Sequence, residues 1–286
     1  MVNAVAQLKK MRLAVCGLAR NCAAKLPANI QFIEALSAYF ESTIIVVVEN
    51  GSKDKTRTVL ENWAATCSSL HIIDGIVPAL ENTPDTMANP YYAVKRISRL
   101  AALRNQYLDF LKTLDSAPDL VLVVDFDVDR ISLEGVLDSF SRAAEWDVAT
   151  AYGYSVSPAL RERYHDTYAL VPLGQENTPQ VEGQLKAIQR AWKQEKTSDR
   201  LVPVYCAFGG LSIYKYQQIN DLSYSVYPNA DQRVEARCEH FSIADKLQKN
   251  GYQQIVINPR MHLRFQTIGE GILKKAADLL NPKRGV

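Results

Sequence analysis

Several common signatures are missing from this 286-residue chain. Its five cysteines, Cys16, Cys22, Cys67, Cys206 and Cys238, are scattered and form no C-x-x-C pair. That spacing argues against zinc ribbons and disulfide frameworks and fits a reducing compartment. Neither charge sign dominates: 33 basic residues stand against 31 acidic ones. The broad basic field typical of nucleic-acid binders is therefore lacking, and no nucleic-acid partner is expected. No apolar run approaches the roughly 18 residues of a membrane span. The early run Leu13 to Leu18 is too short for a secretory signal and is followed by Arg20. A cytoplasmic protein is expected. Internal repeats and low-complexity tracts are also lacking, and no linker breaks the chain, so the expectation is one domain over 1–286.

With 47% hydrophobic residues, the sequence can bury a substantial core. The first half alternates strand and helix patterns. Met11–Cys16, the β-branched run Thr43–Val48, Leu70–Ile73 and Leu120–Val124 read as buried strands. Helical periods fall over Ile30–Phe40, from the Gly51-Ser52 turn to about Ala65, and from about Tyr92 to Leu114. Residues 74–91 carry Pro78, Pro84 and Pro90 and read as a long loop. Further strands are expected at Val148–Tyr154, Leu201–Cys206, Leu211–Tyr214 and Gln254–Ile257, and helices at 183–193 and 238–249. The alternation predicts an α/β fold: a mostly parallel sheet flanked by helices, with a ligand-binding half at about 11–130 and an elaborated half at about 131–265.

In such sheets ligands sit beyond the carboxyl ends of the strands. Two of these ends carry acids and amides: Glu49-Asn50-Gly51-Ser52, and Asp125-Phe126-Asp127-Val128-Asp129. Residues two apart in extended backbone face the same way. Asp125 and Asp127, with Asp129 as a further candidate, can thus converge, and a hard cation such as Mg²⁺ or Mn²⁺ would relieve their repulsion. The alternative is a set of turn and capping aspartates. Arg104 shares an angular sector with Ile97 on the apolar face of the long helix. A buried guanidinium needs an anion, either a ligand phosphate or a strand-end aspartate. Arg99 falls on the opposite, solvated face. Glu239 opens a helix, where it either matches the helix dipole or serves as a general base. His262, near the end of the last strand pattern, is a candidate third metal ligand or a structural histidine. His165, Asp166 and Tyr168 form a polar, aromatic cluster suited to sugar contact.

In this order the segments resemble glycosyltransferases of the GT-A fold. Val15 to Asn21 is similar to their first strand and loop. Val48-Glu49-Asn50-Gly51-Ser52-Lys53-Asp54-Lys55-Thr56 resembles the family 2 pattern V-D-D-G-S-x-D-x-T, with Glu49 and Asn50 in place of its two acids. Leu100 to Asn105 resembles A-x-x-R-N, Asp125-Phe126-Asp127 the D-x-D motif, and Phe208-Gly209-Gly210-Leu211 the glycine segment beside the acceptor. Glu239-His240 stands where that family has an E-D pair. The L-A-x-L-R-N helix, the segment His165 to Tyr168 and Asn258-Pro259-Arg260 are similar to the capsule-associated α-1,3-mannosyltransferase group.

The resemblance implies transfer of a sugar from a GDP- or UDP-sugar to a glycan or lipid-linked acceptor, with a divalent metal, Mn²⁺ or Mg²⁺, as in surface polysaccharide synthesis. It implies donor contacts from Ala19, Arg20, Glu49, Asn50, Ser52, Arg104 and Asp125. Metal ligation falls to Asp127 and Asp125 with His262, and acceptor contacts to Asp166, Tyr168, Gly209, Gly210 and His240. Asp127, Arg104 and Glu239 are the catalytic candidates, Glu239 acting as base in an inverting enzyme and orienting a sugar in a retaining one. Two rival readings remain: a haloacid-dehalogenase-like phosphatase using Asp125, and a non-catalytic nucleotide-sugar-binding protein. The tail at 266–286 is short, amphipathic and basic. It either packs on the domain or rests on an anionic membrane surface.

Overall fold

The computed structural model describes residues 6–77, 90–156, 161–191, 198–266 and 269. Ten strands form one sheet among them: β1 Arg12–Ala19, β2 Ser42–Glu49, β3 Leu70–Asp74, β4 Leu120–Val124, β5 Arg130–Ile131, β6 Val148–Val156, β7 Glu162–Tyr164, β8 Val202–Pro203, β9 Leu211–Lys215 and β10 Ile255–Arg264. The helices are α1 Leu26–Ser37, α2 Thr56–Ala64, α3 Val94–Lys112, α4 Leu133–Ser141, α5 Glu182–Ala191, α6 Tyr216–Ile219 and α7 Glu239–Lys249. The strand order is β3-β2-β1-β4-β9-β6-β10-β5, with β7 beside β6 and β8 beside β10.

Side chains alternate across the sheet, so the apolar runs feed two cores. Ala14, Cys16, Val46, Val48, Val121 and Val123 face Ile97, Leu103 and Tyr107 of α3 and Phe241 and Leu247 of α7. Leu13, Val15, Ile45, Val47, Leu120 and Leu122 face α1, α2 and α4. Every residue of β4 is buried, as a central strand covered on both faces requires.

Four features depart from the sequence reading. Strands β3, β2, β1 and β4 are parallel, but β9 lies antiparallel between β4 and β6, so the sheet is mixed. A run of apolar residues buried on both faces carries no information about strand direction. Second, β10 continues past Asn258 to Arg264 through a register shift between Asn258 and His262. Pro259 sits in that irregularity, where its missing N–H breaks no regular ladder. Third, the stretch Leu201–Cys206 pairs as a strand only at Val202–Pro203, with Cys206 in an isolated bridge to Val171. Fourth, α1 starts at Leu26, ahead of its expected start at Ile30, because Pro27 fits a first helical turn.

Among the described residues no helix is long and apolar enough to cross a membrane. The tail expected at 266–286, with its membrane alternative, lies outside the described residues apart from 266 and 269, as does most of the loop predicted at 74–91.

Candidate active site

The carboxyl ends of β1, β2 and β4 open onto two adjoining cavities. The first, about 320 Å³, is lined by Arg104, Asp125, Asp127, Asp166, Glu239 and His240, with Tyr91, Tyr168, His165 and Phe265 also on its wall. The second, about 420 Å³, is lined by Ala19, Arg20, Asn50, Lys95, Arg96 and Arg99. Leu18, Arg20, Arg96 and Leu100 belong to both, so the two form one continuous path.

Arg104 organises the first cavity. It is 4% exposed on α3. Its Nε donates to Glu239 Oε1 at 2.9 Å and its Nη2 to Asp125 Oδ1 at 3.0 Å. Both acids are placed by secondary structure. Asp125 follows β4, and its N–H donates to the Gly210 carbonyl at 3.0 Å. Glu239 is the first residue of α7, with its side chain buried. Of the two anions the sequence allowed for Arg104, the strand-end aspartate is present, and Glu239 is a second.

The electrostatics divide the acids. Burial, the largest single influence, would raise the Glu239 carboxyl, but the charge and hydrogen bond of Arg104, with its other close neighbours, together bring the group down to about 2. Burial raises Asp125, and the Asp127 carboxylate adds to that against the pull of Arg104. Burial also lifts Asp166 to about 6, although the Ala169 and Gly209 N–H groups donate to its carboxylate at 3.3 and 3.1 Å. His240 is driven well below the ordinary histidine range by burial and by Arg104, so its imidazole is neutral.

Asp127 is exposed at the rim of the first cavity, and the Asp125 side chain is a quarter exposed behind it. Two adjacent carboxylates at a cavity rim are a donor set that Mg²⁺ or Mn²⁺ takes together with phosphate oxygens. The residues thus fit a divalent ion, although no group of three or more His, Cys, Asp or Glu suited to a metal occurs among the described residues. His262 does not join the aspartates. It lies on β10 with its ring 6.4 Å from that of Tyr154. Asp129 does not converge on them either, because Arg264 Nε donates to its Oδ2 at 2.6 Å.

The other sequence candidates separate in the same way. Ala19, Arg20 and Asn50 line the second cavity. Glu49 and Ser52 stabilise the loop instead: the Glu49 carboxylate accepts the Ser52 N–H at 2.7 Å and the Gly51 N–H at 3.2 Å, and Ser52 Oγ accepts the Asn21 N–H at 3.0 Å. Tyr168 faces the first cavity and donates its hydroxyl to the Ala236 carbonyl at 2.6 Å. Gly209 and Gly210 serve backbone packing. Both have positive φ, and a Cβ on Gly209 would lie 2.0 Å from the Ala151 carbonyl oxygen. The neighbouring Phe208 is the residue of that segment that lines the cavity.

Sequence reasoning missed the cationic wall. Lys95, Arg96 and Arg99 sit in the first two turns of α3, and Arg99, exposed as the helical period predicts, also lines the second cavity. The signal was available, because three cations at the end of a helix that favours anions are anomalous unless an anion comes to them.

The family model described as Cryptococcal mannosyltransferase 1 matches residues 19–270. Among solved structures, the mannosyltransferase PcManGT from Pyrobaculum calidifontis, in complex with GDP-Man and Mn²⁺, aligns with a TM-score of 0.50 at 14% identity, over 89% of this chain and 56% of that one. TarS 1–349 of S. aureus in complex with UDP aligns with a TM-score of 0.50 at 14% identity, over 95% of this chain and 66% of that one. The chain therefore spans between about half and two thirds of the length of these two structures, and the likeness is one of fold. No curated protein sequence matches the chain significantly. The phosphatase reading falls, since the family model that matches residues 19–270 is that of a mannosyltransferase. The α/β sheet, the strand-end D-x-D and a family match across most of the sequence agree: the chain belongs to the Cryptococcal mannosyltransferase 1 family and has the GT-A fold.

Proposed function

We propose that the protein transfers mannose from GDP-mannose to a glycan or lipid-linked acceptor, with a divalent cation. The observation that carries this reading is the buried Arg104 held between Asp125 and Glu239, directly behind Asp127 and beside a cavity walled with cations. The nucleoside lies in the second cavity, against Ala19, Arg20 and Asn50. The diphosphate crosses the shared wall, where Arg20 and Arg96 meet its charge. The sugar enters the first cavity, and the acceptor approaches past Asp166 and Tyr168. Asp127, with Asp125 beside it, would hold Mn²⁺ or Mg²⁺, which when bound supplies positive charge to the leaving diphosphate.

Glu239 orients the sugar and is not a proton acceptor. A carboxyl held at about 2 and bonded to a guanidinium is a poor base for a hydroxyl proton. This supports transfer with retention of anomeric configuration. One observation favours an inverting alternative: Asp166, at about 6, lines the same cavity and is better matched to proton transfer near neutral pH.

Thermal shift against GDP, UDP, CDP and their sugars, with and without Mn²⁺, tests the donor. A Mn²⁺-dependent rise for GDP-mannose that disappears in Asp127→Ala is expected. Stabilisation by no nucleotide in folded protein would overturn the proposal. The anomeric configuration of the first product, read by NMR, separates retention from Asp166-assisted inversion.

A further inference from the structure

Two polar groups at the floor of the first cavity have no hydrogen-bond partner within the described protein, although both are buried. One is the imidazole of His240, which is 3% exposed with neither ring nitrogen engaged. The other is Arg104 Nη1, on a side chain that is 4% exposed and otherwise fully committed. An unsatisfied buried polar atom carries its desolvation penalty without return, so each one calls for a function.

The geometry places the two together and fixes them. The His240 ring stacks on Phe208 with centroids 3.7 Å apart and planes at 14°. Phe208 also lies under Arg104, whose Cζ is 5.1 Å from its ring centroid. His240 Nε2 stands 3.7 Å from Glu239 Oε1, the same oxygen that receives Arg104 Nε, too far for a hydrogen bond of its own. The edge of Tyr224 closes a further side. His240 is therefore enclosed on these sides, and Arg104, Glu239 and Phe208 line the cavity with it.

We infer that His240 and Arg104 Nη1 form a hydroxyl-reading site that selects the transferred sugar. A neutral imidazole offers one donor and one acceptor, and Nη1 offers donors only. A pyranose hydroxyl can accept from Nη1 while donating to the imidazole, so one alcohol satisfies both orphans. A deoxy position would leave them unpaired, which is how a polar site rejects an analogue more strongly than an apolar pocket can. The hydroxyl belongs to the donor sugar and not the acceptor. Arg104 ties this floor to Asp125 of the D-x-D segment, the strand end at which the donor diphosphate is placed above. The inference rests on the donor reading above and adds the residue that recognises the sugar.

The test compares GDP and GDP-mannose binding by calorimetry in wild-type protein, His240→Phe and His240→Gln. Phe keeps the stack and removes both nitrogens. In His240→Phe, GDP affinity should stay within twofold of wild type, while the gain in affinity contributed by mannose should fall about tenfold, the usual scale of one hydrogen bond. His240→Gln should retain part of that gain. Among monodeoxy GDP-mannose analogues, one should bind wild type about tenfold more weakly than GDP-mannose and bind His240→Phe equally well. The ligand-free His240→Phe protein should melt above wild type, because a partnerless polar ring has been replaced by an apolar one. An unchanged mannose contribution in His240→Phe, or a lower melting temperature with equal losses for GDP and GDP-mannose, would overturn the assignment and make His240 a packing residue. Failure of wild-type protein to bind either compound would overturn the donor reading and this assignment with it.

Discussion

Replacing Arg104 with Met removes the one cation that separates two acids at the centre of the site. The Glu239 side chain is 3% exposed, and its carboxyl sits at about 2 in place of 4.5. That fall corresponds to roughly 3 kcal/mol of interaction between the carboxylate and its surroundings. Breaking a buried pair by removing one partner typically costs about 3–5 kcal/mol, since the remaining charge is stranded. Arg104→Met should therefore lose about 3–5 kcal/mol at pH 7, measured by urea denaturation with the same m-value as wild type.

The pH dependence has a definite sign. In wild-type protein the Glu239 contribution is fully present above 4.5 and is lost as pH falls towards 2. In Arg104→Met, burial without the cation lifts the folded carboxyl above its unfolded value. The penalty is then largest near neutrality and shrinks on acidification. The gap between wild type and variant should narrow between pH 7 and pH 4.5, and adding Glu239→Gln to the variant should recover part of the loss. A gap below about 1 kcal/mol at pH 7, or one that widens in acid, would refute the buried-pair reasoning.

Three further outcomes follow from the geometry. Arg264→Ala should cost about 1 kcal/mol, as loss of a partly buried ion pair does, and leave nucleotide-induced thermal shifts unchanged, since Asp129 belongs to a rim pair and not to the cation site. Gly209→Ala should destabilise by about 3 kcal/mol or more in denaturant titration, because it combines left-handed backbone with a Cβ 2.0 Å from a carbonyl oxygen. Arg99→Ala should weaken GDP binding several-fold at low salt and by less at high salt in calorimetric titrations, the signature of a charge that meets phosphate. A salt-independent loss would place Arg99 outside the phosphate path.

What the sequence revealed depended on whether the deciding contact was local. The four parallel strands announced themselves as short apolar runs, Thr43–Val48 the most β-branched of them, and Asp125 and Asp127 were legible because a two-residue spacing after a buried strand has few other uses. Arg104 was legible as a charge on an apolar helix face. The direction of β9 was not, since Leu211–Lys215 reads the same either way. Asp129 stayed a further candidate for the cation site because its partner Arg264 lies 135 residues away. Glu49 matched a motif position, but the N–H groups of its own turn take its carboxylate, a choice set by backbone conformation at Gly51. The extension of β10 through Pro259 was hidden by a residue that ordinarily ends a strand.

The Arg104–Glu239 pair also spans 135 residues of sequence. A ribosome adding about 5–20 residues per second needs on the order of 10 s to cover that distance. During this interval the emerging chain already carries its D-x-D segment and its cationic helix, but not the acid that completes the charge balance of the cavity. A fragment ending before α7 can thus present both aspartates and still lack the cavity floor that Glu239 and His240 supply. Docking of α7 is then the step that completes the charge balance of the cavity, and until it occurs Arg104 has only Asp125 to pair with.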